Sequence, residues 1–158
     1  MKKIIKNKGF TLIEILVVVA IIAILAAIVL VAINPAKRFR DARNAQRQAN
    51  VESILSAIQQ NMVDNKGITT CTIPTSAAGV VKSSASAPDT DLTTCLAPYL
   101  AVLPVDPSDP AASWTDSSNY NTRYTVKMDN ITKQVTVTAP YSGNASEGPV
   151  SPIISVTR

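Results

Sequence analysis

Residues 8–33 read KGFTLIEILVVVAIIAILAAIVLVAI. From Ile15 to Ile33 all nineteen side chains are aliphatic, and extending back to Phe10 gives 24 residues broken only by the Thr11 hydroxyl and the Glu14 carboxylate. At about 1.5 Å per residue such a helix is roughly 36 Å long, enough for a bilayer hydrocarbon core of about 30 Å. A helix that is apolar on every face is stable inside a large protein core or a membrane, and 158 residues have room for one small domain. The stretch therefore predicts a membrane-inserted helix over 10–33, for at least one stage of the protein's life.

The flanks refine this. Residues 1–9 hold four lysines and no acid; the rest of the chain holds eleven cations and eleven acids. A basic start followed by apolar residues is also how a secretory signal begins, but the run exceeds the usual 7–15 residues, and no small-x-small site with a polar boundary precedes Asn34-Pro35. Lys37, Arg38, Arg40, Arg43 and Arg47, opposed only by Asp41, make the far flank basic too. The positive-inside rule thus leaves the orientation open.

Composition removes most enzyme classes. The chain has no histidine and two cysteines, so histidine general bases, Ser-His-Asp and Cys-His systems and ordinary zinc sites are absent. No Ser-x-x-Lys segment suggests a serine–lysine dyad. The expectation is a non-enzyme without catalytic, cofactor or metal residues.

Lys8-Gly9-Phe10-Thr11-Leu12-Ile13-Glu14 and the aliphatic run behind it resemble the class III signal of type IV pilins and pseudopilins. The resemblance covers roughly the first 40 residues. It implies that a prepilin peptidase removes residues 1–9 by cutting between Gly9 and Phe10, and that Phe10 is then N-methylated. Glycine before the scissile bond suits an extended backbone in a cleft. A charge within a span costs a few kcal/mol unless partnered. Glu14 is therefore a functional candidate, and the resemblance makes its partner the Phe10 amine of a neighbouring subunit. The bland alternative is a carboxylate that snorkels to the headgroups.

Asn34-Pro35 ends the aliphatic run, and helix is expected to resume after a kink near Pro35, because Ala36 to Val63 contains no glycine or proline. Val51, Ile54, Leu55, Ile58 and Met62 form a stripe at helical spacing that is expected to pack on the protein's own sheet. Asp64-Asn65-Lys66-Gly67 is a stop signal. The basic residues 37–47 read as a solvated face or a contact with anionic headgroups. Clustered Lys/Arg also contact phosphates, which keeps nucleic acid as a partner class that no further motif indicates.

Residues 67–158 turn to Ser, Thr, Pro and Asp. Cys71 and Cys95 bracket a small-residue loop. In an oxidising, exported setting they would form a disulfide with roughly 3 kcal/mol of stabilisation; two separately buried thiols are the other reading. Leu96 to Leu103 suggests a short helix or turn. Tyr124–Met128, Val135–Val137 and Ile153–Val156 suggest strands, the first two joined by a hairpin at Asp129-Asn130. Asp106, Asp109, Asp116 and Asp129 are residue types that hold calcium, but they match no fixed ligand loop and suit turns equally well. The sequons at Asn130 and Asn144 stay unassigned.

The expected fold is α+β, a long N-terminal helix on a small antiparallel sheet. Its parts are a leader (1–9), a transmembrane or filament-core helix (10–33), an amphipathic continuation (34–66) and an exported β-rich head (67–158). The resemblance implies a structural subunit stored in the cytoplasmic membrane, N-terminus inside and head outside. It would then polymerise with its own copies into an extracellular or periplasmic filament. The implied partners are the peptidase/N-methylase, membrane lipid, the assembly machinery and minor pilins. The alternative is a single-span membrane protein that never polymerises, its exported head acting as a binding or sensor module.

Overall fold

A computed structural model describes residues 9–83, 86–143 and 153–158. It divides into two compact units, Met1–Phe39 and Arg40–Arg158. The leader lysines and the Asn144 sequon lie outside the described residues.

In the first unit, helix α1 spans Leu12–Ile33, and none of its side chains is buried. It starts at Thr11, whose extended backbone and hydroxyl form the N-cap. It ends at Asn34, which takes a left-handed backbone (φ 45°) that asparagine tolerates better than most residues. The following Pro35 also disfavours helical angles in the residue before it. Asn34 then serves the next helix: its Oδ1 accepts from the Lys37 amide at 3.3 Å. Helix α2 runs Pro35–Asp64, with proline at the first position, where no amide is needed.

From Arg40 onward α2 belongs to the second unit. Val51, Ile54, Leu55 and Ile58 are fully buried, and Met62 packs half-buried against the same cluster. Burial of each such side chain contributes about 1.5–3 kcal/mol. The helix closes with Lys66 (φ 59°) and Gly67 (φ 86°) in left-handed geometry, and the Gly67 amide donates to the Met62 carbonyl at 2.7 Å.

Five strands follow, β1 (Gly79–Lys82), β2 (Ser113–Asp116), β3 (Asn119–Met128), β4 (Val135–Ala139) and β5 (Ile154–Thr157), with a four-residue helix α3 (Thr93–Leu96) between β1 and β2. The sheet is antiparallel in the order β1-β3-β4-β5, with β2 also paired to β3. Tyr124, Val126, Val137 and Ala139 face the core, joined by Val81, Leu92, Leu96 and Leu103. The fold is thus α+β: a long helix with a small antiparallel sheet. Cys71 and Cys95 form a disulfide. Asn61 ties the same region to α2, its amide nitrogen donating to Thr70 Oγ1 (2.7 Å) and the Cys95 carbonyl (3.2 Å).

Three details depart from the sequence expectation. The small-residue loop between the cysteines contains β1. The regular helix lies earlier, at Thr93–Leu96, where Asp91 Oδ1 accepts from the Thr93 amide and hydroxyl at its start, and the expected turn follows it, the Tyr99 and Leu100 amides donating to the Leu96 carbonyl at 2.9 and 2.8 Å. Strand β3 begins five residues before Tyr124, because Thr122 occupies an inward position of its alternation and is fully buried.

Gly79 sits where β1 meets the 86–89 loop. A Cβ there would lie 1.8 Å from the Pro88 carbonyl oxygen, so one of the two segments must move. Gly79→Ala is expected to cost about 1–3 kcal/mol, as overpacking does. Thermal unfolding of the variant followed by circular dichroism checks this, and an unchanged midpoint would show that the loop yields freely.

Candidate functional site

The residues of the expected processing site lie at the start of the first unit. Gly9 and Phe10 are exposed, Phe10 by 80%. A Cβ added at Gly9 meets no atom within 4 Å, so the chain's own packing makes no demand for glycine there.

Glu14 also takes part in an arrangement within its own helix. Its amide donates to Thr11 Oγ1 at 3.3 Å, and its Oε2 accepts from the Thr11 amide at 3.4 Å. This is a capping box, in which the two side chains reciprocally accept from amides at the helix start, the Glu14 amide also donating to the Thr11 carbonyl at 3.2 Å. The Thr-x-x-Glu spacing that announces it is present in the sequence, so Thr11 could have been found. Both residues lie C-terminal to Gly9-Phe10, and a cut there leaves the cap intact.

Behind this cap every large aliphatic side chain of α1 is 47–84% exposed. By length and composition the helix is able to cross a membrane, and none of it is buried.

The second unit holds a different kind of site. Arg47, grouped with the solvated basic face in the sequence reading, is fully buried. Its Nε donates to Asp106 Oδ2 at 2.8 Å and its Nη2 to Asp106 Oδ1 at 3.1 Å, a two-pronged pair. Nη2 also donates to Ser108 Oγ (2.6 Å) and Nη1 to Asn44 Oδ1 (2.7 Å), while the Tyr141 ring centroid lies 5.6 Å from the guanidinium carbon. Arg47 stands four residues before Val51 and so on the core-facing stripe.

The 103–112 loop is shaped around this pair. Asp106 Oδ1 also accepts from the amides of Ser108 (3.0 Å) and Asp109 (2.9 Å). Burial acts to raise the Asp106 carboxyl, but the Arg47 hydrogen bonds and these two amides outweigh it and hold the group below the ordinary aspartate value. Nearby, Asn50 donates to the Tyr124 hydroxyl at 2.9 Å, and burial pushes that hydroxyl up to about 12.

The four aspartates considered for calcium do not converge. Asp106 faces Arg47, Asp109 faces Arg123 at 2.8 Å, and Asp116 and Asp129 accept from backbone amides in their own turns. Among the described residues no three carboxylate or cysteine side chains gather.

Residues 5–30 match the family model described as the prokaryotic N-terminal methylation motif. Comparison with curated proteins and with solved structures finds no match. The chain therefore carries the class III signal of type IV pilins and pseudopilins. The motif supports a pilin-like precursor, and with the apolar α1 it fits a membrane-anchored one.

Asp106→Asn leaves the Arg47 charge buried without a counter-ion, and a loss of about 3–5 kcal/mol is expected. Because the folded carboxyl is depressed, its stabilisation is full above the ordinary value of 3.8 and is lost as pH falls through the lower folded value. Urea unfolding of both proteins across acid pH checks this. The wild type should weaken more steeply below about pH 4 than Asp106→Asn, and parallel curves would contradict it.

Proposed function

We infer that the chain is the precursor of a structural subunit of a type IV pilus-like filament. The observation that carries this reading is the continuity of the methylation motif at residues 5–30 with a helix that exposes hydrocarbon on every side. Hydrolysis of the Gly9–Phe10 amide consumes one water and leaves a carboxylate on Gly9 and an amine on Phe10. The four leader lysines depart with the first product. They are the charges most costly to carry into an apolar filament interior.

The mature chain begins at Phe10, next to an intact helix cap. Lipid covers α1 before assembly, and the α1 helices of sister subunits cover it afterwards. In such surroundings apolar contact alone discriminates poorly between partners, and polar groups set register. Glu14 supplies that group. Its Oε2 serves the cap, while Oε1 accepts no hydrogen bond among the described residues, which suits it to the Phe10 amine of a neighbour.

The test uses sheared surface material and membranes from cells expressing wild type or Glu14→Ala. Intact mass should show extracellular wild-type protein starting at N-methylated Phe10. Glu14→Ala should be found processed in membranes but depleted at least tenfold from filaments. Extracellular protein that retains residues 1–9, or full incorporation of Glu14→Ala, would overturn the reading.

A further inference from the structure

The first unit ends on three consecutive exposed residues, Lys37, Arg38 and Phe39, the last with 66% of its surface open. The chain has only two phenylalanines, and they flank α1: Phe10 before it and Phe39 after it. We propose that Lys37, Arg38 and Phe39 form a docking surface for anionic phospholipid headgroups, which holds the stored subunit at the membrane surface opposite its leader. This rests on the reading that α1 crosses a bilayer.

Distance supports it first. Lys37 follows Ile33 by four residues and Phe39 by six, which at the rise of a helix is on the order of 6 and 9 Å of path, with Asn34 the one non-helical step between them. The headgroup layer on each side of the hydrocarbon is about 5–7 Å thick. Side chains in a helix lean toward its N-terminus, so the Phe39 ring covers the turn before its own Cα, on the side of α1. A phenylalanine ring, with no polar tip, belongs on the hydrocarbon side of that boundary, as on the apolar face of interfacial helices. The two cations, on long flexible stems, reach the phosphates while their methylenes stay near hydrocarbon.

Charge selects the occupant. Within residues 34–40 there are three cations and no acid. A second copy stored beside the first would present the same cations at the same depth and be repelled. Nucleic acid demands a longer track of phosphate contacts than two neighbouring side chains offer, and Arg47 is committed to Asp106. Each basic residue near an anionic membrane surface strengthens attraction to that surface by about fivefold. A subunit leaving the bilayer has to break these contacts, so the patch opposes premature release.

The experiment uses the full-length chain with Trp114→Phe and Phe39→Trp, reconstituted in vesicles of phosphatidylcholine containing a minor fraction of phosphatidylglycerol. Bromine is placed on the acyl chains of one lipid or the other, near the headgroup. Per brominated lipid, phosphatidylglycerol should quench Trp fluorescence several-fold more than phosphatidylcholine. Adding Lys37→Gln and Arg38→Gln should bring the ratio to one.

Equal quenching in the parent protein, or a preference that survives neutralisation, would overturn the proposal. Loss of the preference on adding a short DNA duplex at physiological salt would assign the patch to nucleic acid instead. A Trp114→Phe/Val19→Trp control separates the two levels. If position 19 is quenched by both lipids while position 39 shows no preference, only this proposal fails; if position 19 is not quenched at all, the membrane reading fails with it.

Discussion

Helix α1 offers hydrocarbon in every direction and buries none of it against its own chain. Transfer of one large aliphatic side chain from water to an apolar setting is worth about 1.5–3 kcal/mol, so leaving the whole helix in water would cost on the order of tens of kcal/mol. That exceeds what a small domain of marginal stability could offset. In this account everything else follows from the need to cover α1, first with lipid and then with like helices. Lipid tails are as apolar as the helix, so in the proposed stored state they would cover it without a strong preference for any partner. The few polar groups at its start therefore carry more weight than their number suggests. Thr11 and Glu14 satisfy the first amides, and the asparagine at the other end caps two helices in turn.

The second unit answers a different problem, attaching a sheet and its loops to one face of α2. Apolar packing does most of this. The Arg47–Asp106 pair adds direction, because a buried guanidinium admits few alternatives to its fork of carboxylate, hydroxyl and amide oxygens. Buried ion pairs contribute little net stability compared with apolar replacements of the same shape. Here the pair specifies how a proline-rich loop, three of whose residues lack amides to donate, lies against the helix. Asp106 and Asp109 side chains accept from the amides of Ser108, Asp109 and Ala111, while the Asp106 amide donates to the Thr122 carbonyl.

Much of this was legible in the residues. The apolar run and the break at Asn34-Pro35 are dictated by chain chemistry, and the stripe from Val51 to Met62 follows the helical period. Each depends on local rules that operate without the rest of the fold. What escaped depended on distant partners or on polar residues in apolar positions. Arg47 has the spacing of a core residue and the chemistry of a surface one, and only Asp106, 59 residues away, resolves the conflict. Thr122 is polar yet keeps an inward position in β3, because its hydroxyl donates to the Val81 carbonyl of another strand. Strand β2 shows no apolar alternation, since only Trp114 is partly covered. The box formed by Thr11 and Glu14 is the exception. Its Thr-x-x-Glu signature is local and is readable without the rest of the fold.

The claim that sister helices replace lipid around α1 is open to one direct measurement. Ala23 lies midway along α1, and cysteine there changes little volume, while the native Cys71–Cys95 pair is already joined. Oxidative cross-linking of Ala23→Cys in sheared surface filaments should give a ladder of covalent multimers, and the same treatment of membranes holding unassembled precursor should give mostly monomer. Extracellular fibres of this chain that yield only monomer would contradict a core built from α1.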